Sequence, residues 1–321
     1  MSKNQKSKFI EAVELAAEQH RSVIAETPLQ RNAFLSNRYD SDIYLKREDL
    51  TPVRSYKIRG AFNFFRKAIL EGGETQKFVC ASAGNHAQGF AFACKHFGVK
   101  GVIFMPVTTP QQKQEKTKVF GGDSIEIKIY GDFFDQCYKA AIKYSEETGA
   151  VMVPPFDHAD IIEGQASVGL EILSQMNEPI DILILPVGGG GLAAGVAQVM
   201  KECSPQTEMI FVQPAGAPSF KESLIKGERV LLDRVDNFVD GAAVGQMGQL
   251  NFDLLKDTDP ERVMLIPEDH LCETIIEMLN IEGIVLEPAG ALEVDALRWI
   301  DPSKLKGKRV VCIASGGNCG F

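Results

Sequence analysis

Short apolar runs alternate with amphipathic segments along most of the chain, a pattern typical of parallel β-strands joined by helices. The predicted strands cover residues 43–45, 78–81, 101–105, 124–129, 151–153, 182–185, 209–212 and 309–314. The predicted helices cover residues 8–25, 58–70, 88–96, 111–120, 132–148, 161–175, 192–201, 271–281 and 289–299. Alternation at this spacing predicts an α/β fold, in which parallel sheets are covered by helices on both faces.

The length of the chain indicates more than one structural unit. Its 321 residues are enough for two domains of ordinary size, and Pro154-Pro155 is the plainest internal break. We therefore predict two three-layer domains, each built on a parallel sheet, with a ligand cleft between them.

Charge and cysteine usage narrow the function classes. The net charge is -9 and there is no long basic run, which argues against partners such as nucleic acid or an anionic membrane. Residues 182–200 are nearly uncharged, but Pro186 and four glycines interrupt them, so we predict a strand, a turn and a helix rather than a membrane span. Seven scattered cysteines without a Cys-x-x-Cys pair, and no secretory signal, indicate a reducing cytoplasm.

Three loops rich in glycine and small polar residues follow predicted strands, at the edge where open parallel sheets bind ligands. They are Ser82-Ala83-Gly84-Asn85-His86-Ala87-Gln88-Gly89, Pro186-Val187-Gly188-Gly189-Gly190-Gly191-Leu192 and Ser315-Gly316-Gly317-Asn318. Open backbone N–H groups at a helix start attract a carboxylate or a phosphate, although ordinary tight turns explain the first and third loops equally well. The second loop formally matches a dinucleotide fingerprint. The strand over 209–212, however, ends in Gln213-Pro214 without the acidic residue that NAD binding needs.

Lys57 is the candidate nucleophile. It stands where the helix over 58–70 is predicted to begin, and the positive end of a helix dipole disfavours a cation there. We expect this position to lower the pKa of the amine and to favour the neutral form that reacts with carbonyl groups. A solvated surface lysine is the alternative that this segment alone leaves open.

These motifs together resemble those of the fold-type II pyridoxal-phosphate enzymes, the tryptophan synthase beta-like family. The resemblance is carried by Tyr44-Leu45-Lys46-Arg47-Glu48-Asp49, by Ser55-Tyr56-Lys57-Ile58-Arg59-Gly60-Ala61 and by the three loops, in the family's order. Within the family the chain is similar to threonine dehydratases. Three segments favour the biosynthetic over the catabolic form: Lys46-Arg47-Glu48-Asp49, Pro52-Val53-Arg54-Ser55 and Val153-Pro154-Pro155-Phe156-Asp157-His158.

The resemblance implies an organisation and an activity. Residues 1–68 and 156–321 would form a large cofactor-binding domain, and residues 69–155 a small mobile domain. The activity implied is the conversion of L-threonine to 2-oxobutanoate and ammonia in isoleucine biosynthesis, with a side activity on L-serine. The family also implies a homo-oligomer, either a dimer or a tetramer.

The resemblance also implies residue roles. Lys57 would bind pyridoxal 5'-phosphate covalently and move the substrate's α-proton. The cofactor phosphate would lie on Gly188, Gly189, Gly190, Gly191 and Leu192. Asn85 would hydrogen-bond the 3′ oxygen of the ring, and Ser315 would face the ring nitrogen. The substrate carboxylate would bind Ser82, Ala83, Gly84, Asn85 and His86.

Two departures from related racemases shape the prediction. Serine racemases place a second acid–base serine where this chain has Ala83, so we expect no proton delivery to the opposite face of the substrate. Eukaryotic racemases hold a metal on carboxylates that correspond here to Gln213 and Ser219, so we predict no metal. The alternatives are a serine dehydratase or racemase of the same fold and, from another class, a non-catalytic sensor of phosphate ligands.

Two further expectations concern specificity and regulation. Phe156 is a candidate for favouring the extra methyl group of threonine, with an ordinary core position as the equally open alternative. Biosynthetic threonine deaminases continue past the Ser-Gly-Gly-Asn loop into a regulatory domain, whereas this sequence ends at Phe321. We expect no C-terminal regulatory domain and no response to isoleucine or valine.

Overall fold

The structure is a computed structural model that describes residues 6–73 and 76–319. Its strands are β1 Leu29–Arg31, β2 Asp42–Arg47, β3 Lys77–Ala81, β4 Lys100–Met105, β5 Ile125–Ile129, β6 Val151–Met152, β7 Ile182–Pro186, β8 Glu208–Pro214, β9 Val263–Ile266 and β10 Arg309–Ala314. Its helices are α1 Lys8–His20, α2 Ala33–Tyr39, α3 Lys57–Gly72, α4 Asn85–Phe97, α5 Gln111–Gly121, α6 Phe134–Thr148, α7 Ala159–Gln175, α8 Gly191–Cys203, α9 Ser219–Lys226, α10 Gln249–Leu255, α11 Leu271–Glu282, α12 Pro288–Ala296 and α13 Pro302–Leu305.

The strands form two sheets, and both follow the predicted parallel pattern. The larger sheet has the order β1-β2-β10-β7-β8-β9, and the smaller has the order β5-β4-β3-β6. Every pair within them is parallel except β1 with β2, which is antiparallel at the edge of the larger sheet. The predicted α/β fold with two parallel sheets is confirmed.

Both sheets are covered on two faces because their central strands are apolar throughout. On the larger sheet, Ile184 of β7 packs into one core cluster and its neighbour Leu185 into the other, as the alternation of strand side chains requires. On the smaller sheet, Phe78 and Val79 of β3 likewise divide between two clusters. Each sheet is therefore the middle layer of three.

The segment 182–200, which is apolar enough to suggest a membrane span, forms β7, a glycine turn and the greater part of α8. None of the helices in residues 6–73 and 76–319 combines the length and apolar composition that a membrane crossing requires.

Several short elements escaped the sequence prediction: β1, β9, α2, α9, α10 and α13. The residues of β1, Leu29-Gln30-Arg31, carry no apolar alternation, and pairing with β2 holds them extended at the sheet edge. The predicted helix over 8–25 ends early, at His20, and the predicted helix over 289–299 begins at Pro288 and ends at Ala296. Boundaries of this kind depend on tertiary contacts that the local pattern does not contain.

Candidate active site

A small cavity lies between the carboxyl ends of β7 and β10 and the start of α4, the helix that follows β3 of the smaller sheet. Its lining residues are Tyr56, Lys57, Asn85, Pro186, Gly188, Gly241, Ala242, Glu287, Ala289 and Ser315. Four of the residues predicted for the site, Lys57, Asn85, Gly188 and Ser315, are thereby brought together from four distant parts of the sequence.

Lys57 is the first residue of α3, and its amine faces this cavity. The Nζ atom donates a hydrogen bond to the carbonyl oxygen of Pro155 over 2.8 Å. Burial of the amine lowers its pKa to about 8, and the nearby Glu287 opposes that change. The sequence argument ascribed a lowered pKa to the helix dipole, whereas the structure gives removal from water as the principal cause.

Two aromatic rings flank the Lys57 amine. The Nζ atom lies 5.5 Å from the centre of the Tyr56 ring and 5.9 Å from the centre of the Phe156 ring. Both rings contribute apolar surface that keeps the amine poorly hydrated, which is consistent with its lowered pKa.

Glu287 is the acidic residue of the cavity lining, and its side chain is only 4% exposed. It directly precedes Pro288, the first residue of α12. Burial raises the pKa of its carboxyl to about 7, while a hydrogen bond from Asn85 acts in the opposite direction. The cavity thus holds an amine and a carboxyl that both titrate close to neutral pH.

Two residues from the layers of the larger sheet hold the side-chain amide of Asn85 in place. Its Nδ2 atom donates to Glu287 Oε1 over 2.6 Å, and its Oδ1 atom accepts from Asn318 Nδ2 over 2.7 Å. Asn318 also donates to the carbonyl of Val53 over 2.9 Å. Because an amide nitrogen carries two hydrogens, Asn85 keeps one donor that these contacts do not use.

Ser315 begins the loop after β10 and is buried. Its hydroxyl donates to the carbonyl of Ala289 over 3.3 Å, and its backbone N–H donates to Glu293 Oε1 over 3.3 Å. Its own carbonyl accepts from the N–H of Tyr56 over 3.2 Å. The end of β10 is therefore tied directly to the residue that precedes Lys57.

The glycines after β7 are required by close contacts with neighbouring residues and by the backbone conformation. A Cβ atom on Gly188 would lie 3.0 Å from the Cα of Ala242, and one on Gly189 would lie 2.1 Å from the Phe156 ring. Gly190 has a φ of 97°, a backbone conformation that side chains disfavour. Leu192 is buried in the core behind the loop. Of the five residues predicted to hold phosphate, the structure brings only Gly188 to the cavity wall.

The loop after β3 contributes Asn85 to the cavity lining, but not Ser82, Ala83, Gly84 or His86. The Ser82 hydroxyl accepts from the N–H groups of Gly84 and Ala87, over 3.2 and 3.3 Å. His86 Nε2 donates to the carbonyl of Val153, and burial lowers the pKa of its imidazole to about 3, with Lys57 acting in the same direction. The imidazole is therefore neutral at physiological pH, and the predicted carboxylate site stays a prediction.

The sequence analysis missed Tyr56, Gly241, Ala242, Glu287 and Ala289 as cavity residues. A signal existed for Glu287, because an acidic residue directly before a proline at a helix start is a recognisable helix beginning. Gly241 and Ala242 lie in a stretch between α9 and α10 that has no helix or strand, and such long loops often carry function.

Several residues of the cavity suit pyridoxal phosphate. It offers a buried amine of lowered pKa at Lys57, a hydroxyl at Ser315 and an unused amide donor at Asn85. Gly188 stands three residues before α8, whose N-terminal N–H groups favour a phosphate. Pro186, Ala242 and Ala289 add apolar surface for an aromatic ring.

The comparisons with known proteins agree with this chemistry. Residues 21–316 match the model of the family described as pyridoxal-phosphate dependent enzyme. The match spans most of the chain, so the protein belongs to this family of enzymes, and its cofactor is pyridoxal phosphate.

Within the family, the chain is similar to proteins named L-threonine dehydratase biosynthetic IlvA. It is 47% identical to that of Bacillus subtilis over 298 residues, which cover 93% of this chain and 70% of the relative. It is 44% identical to that of Halalkalibacterium halodurans over 309 residues, which cover 96% of this chain and 74% of the relative.

Solved structures with a similar fold include a threonine deaminase and a serine racemase. The processed form of threonine deaminase isoform 2 from Solanum lycopersicum is 36% identical with a TM-score of 0.89, covering 100% of this chain and 93% of that one. Maize serine racemase is 28% identical and also superposes with a TM-score of 0.89, over 97% of this chain and 94% of that one. Shape alone therefore does not separate the dehydratases from the racemases.

Proposed function

We propose that this protein dehydrates and deaminates L-threonine to 2-oxobutanoate and ammonia, a step of isoleucine biosynthesis, with a side activity on L-serine. The observation that carries the proposal is the meeting of Lys57, Asn85, Gly188 and Ser315 in one cavity. The names of the relatives favour threonine over other hydroxy amino acids.

Lys57 is the proposed catalytic base. Bound pyridoxal phosphate withdraws electrons from the substrate Cα and so makes its proton acidic. The amine of Lys57, with a pKa of about 8, is neutral in a substantial fraction near neutral pH and can accept that proton. The carbonyl of Pro155, 2.8 Å from Nζ, orients the amine when it is free.

The remaining contacts bind and orient. The N-terminus of α8 and the glycine run from Gly188 to Leu192 would hold the cofactor phosphate, and Asn85 has a free N–H that would bind the 3′ oxygen of the ring. Ser315 would give the ring nitrogen an uncharged partner, a choice that suits a cofactor used for elimination. The loop from Ser82 to His86 receives the substrate carboxylate through backbone N–H groups near the start of α4.

Ala83 supports elimination over racemisation. Its methyl group has no proton to give, so Lys57 alone serves Cα, from one face. We therefore propose that the enzyme forms essentially no D-threonine or D-serine, and that it needs no metal.

We also propose the domain arrangement that the resemblance implies, with residues 1–68 and 156–321 in a large domain and residues 69–155 in a small mobile one. The division of strands supports it, because β3 to β6 form the small sheet and lie within 77–152. A cytoplasmic homo-oligomer is the proposed state of the protein, which gel filtration with light scattering tests directly.

The test is turnover by the purified holoenzyme. We expect L-threonine to yield 2-oxobutanoate and ammonia in equal amounts, and L-serine to yield pyruvate more slowly. Borohydride reduction followed by peptide mapping should find the cofactor on Lys57. If borohydride removes the visible cofactor band but neither substrate yields a 2-oxo acid, the result would instead favour a non-catalytic sensor of phosphate ligands.

Chiral chromatography of a long incubation separates the remaining candidates. Accumulation of D-serine would favour a racemase and would show that a residue other than Ala83 serves the second face. Faster turnover of serine than of threonine would make the protein a serine dehydratase.

A further inference from the structure

A second buried carboxyl, that of Glu293, lies behind the cavity. Glu293 belongs to α12 and is 0% exposed. Its Oε1 atom accepts the backbone N–H of Ser315 over 3.3 Å, while its Oε2 atom has no hydrogen-bond partner among the described residues. Neither the fold nor the proposed reaction accounts for an acid in this position.

The surroundings of Glu293 favour a neutral carboxyl. Burial raises the pKa well above its usual range, and the acidic Glu287 and Asp49 raise it further. Asp49 is itself paired with Arg47 over 2.7 Å, so that guanidinium is engaged elsewhere. Within residues 6–73 and 76–319, no lysine, arginine or histidine forms a salt bridge with Glu293.

We propose that Glu293 is a positioning residue of the cofactor site: a neutral carboxylic acid that fixes the Ser315 loop and keeps negative charge away from the ring nitrogen. Its Oε1 atom accepts the buried N–H of Ser315 at the end of β10, which needs a partner once it is removed from water. An ionised carboxylate in the same place would stabilise a proton on the ring nitrogen, which the uncharged Ser315 hydroxyl does not do. The inference rests on the proposed contact between Ser315 and the cofactor.

The same helix supplies a matched control. Asp295 is also buried, but it accepts from Thr274 Oγ1 over 2.6 Å and from Trp299 Nε1 over 3.1 Å, on the side away from Ser315. Asp295→Ala removes a buried carboxyl from α12 without touching the Ser315 loop. Damage that is merely structural should therefore appear in this variant as well.

The test compares the holoenzyme with Glu293→Gln, Glu293→Ala and Asp295→Ala. Infrared difference spectra at about pH 8.5, where Glu287 is ionised, should show the carbonyl band of a neutral acid in wild type and in Asp295→Ala. That band should be missing in both Glu293 variants. Its absence from wild type would overturn the proposal, because Glu293 would then be ionised.

Cofactor binding gives the second readout. Glutamine keeps an uncharged acceptor for the Ser315 N–H, so Glu293→Gln should retain the cofactor affinity and the visible spectrum of wild type. Glu293→Ala should bind the cofactor roughly tenfold more weakly and shift its visible band, as expected when a buried donor loses its partner. Asp295→Ala should lose stability but keep both properties.

Two results contradict the positioning role. The first is a Glu293→Ala protein with the affinity and spectrum of wild type, and the second is a Glu293→Gln protein as impaired as Glu293→Ala. A holoenzyme that shows all the expected Glu293 behaviour yet does not act on threonine would refute the proposed function alone. The two proposals can therefore fail separately.

Discussion

Two groups of buried charges are centred on Lys57 and Arg59, two residues apart at the start of α3, and they behave in opposite ways. Arg59 is fully buried and contacts Glu48 and Glu171 over 2.8 Å each. Burial alone would raise the pKa of Glu171, but Arg59 and then Lys46 lower it to about 2. Burial would lower the pKa of Arg59, but the same carboxylates raise it, so Arg59 and Glu171 stay charged throughout the physiological pH range.

Lys57 and Glu287 face the cavity without such partners. Burial lowers the pKa of Lys57 to about 8 and raises that of Glu287 to about 7, so both approach the neutral form. The difference teaches that burial by itself does not define an active site. Buried charges joined in salt bridges hold the framework, whereas buried groups that form no salt bridge become able to exchange protons.

Removing the cavity's amine should have the largest effect. We expect Lys57→Ala to lower threonine turnover by at least about 1,000-fold, because the variant loses both the amine proposed to bind the cofactor and the proposed base. Circular dichroism should stay unchanged. Lys67→Ala is the matched control, since that lysine lies in the same helix but pairs with Asp160 and Glu163. Near wild-type turnover by Lys57→Ala would remove Lys57 from the mechanism.

Breaking the paired cluster should act on stability instead. Arg59→Met leaves Glu48 buried without its cation and leaves Lys46 as the buried cation of Glu171. Breaking a buried pair in this way typically costs about 3–5 kcal/mol of unfolding free energy. Urea denaturation of the apoprotein measures this loss. A loss of unfolding free energy below about 1 kcal/mol would mean that water reaches the cluster. The paired charges would then differ little from the groups in the cavity.

The ionisation of Glu287 should change the free energy of unfolding by a smaller amount, and this change should depend on pH. The folded state keeps the Glu287 proton up to about pH 7, whereas the unfolded chain loses it near 4.5. Stability is therefore lost as pH rises through this window, by roughly 3 kcal/mol relative to Glu287→Gln. Urea titrations of the two apoproteins at several pH values in this window measure the difference. If the unfolding free energies of both proteins change with pH in the same way, Glu287 ionises normally.

The smallest effect concerns substrate choice. A methyl group buried against an apolar ring contributes roughly 1 kcal/mol, so Phe156→Ala should reduce the threonine-to-serine ratio of kcat/KM by several-fold to tenfold. The centre of the Phe156 ring lies 5.9 Å from Lys57 Nζ, so the ring stands beside the proposed catalytic amine. An unchanged ratio would assign the ring to packing.

The sequence was most informative where local pattern decides structure. The alternation of strands and helices predicted both sheets. Loops after strands predicted Asn85, Gly188 and Ser315, and the helix start together with the family resemblance predicted Lys57; all four line the cavity. It could not show that Glu287, more than 200 residues after Asn85, accepts from the Asn85 amide, because that contact exists only between the two sheets. Nor could it show that burial rather than the helix dipole is the main influence on Lys57.

The packing of Phe156 on Gly189 has a consequence for how such sequences diverge. Any side chain at position 189 would overlap the ring, whose nearest atom lies 2.1 Å from where a Cβ would stand. A related sequence can therefore replace this glycine only after, or together with, the loss of the aromatic residue. Paired replacement at these two positions, 33 residues apart in the chain, is the evolutionary trace that this contact should leave.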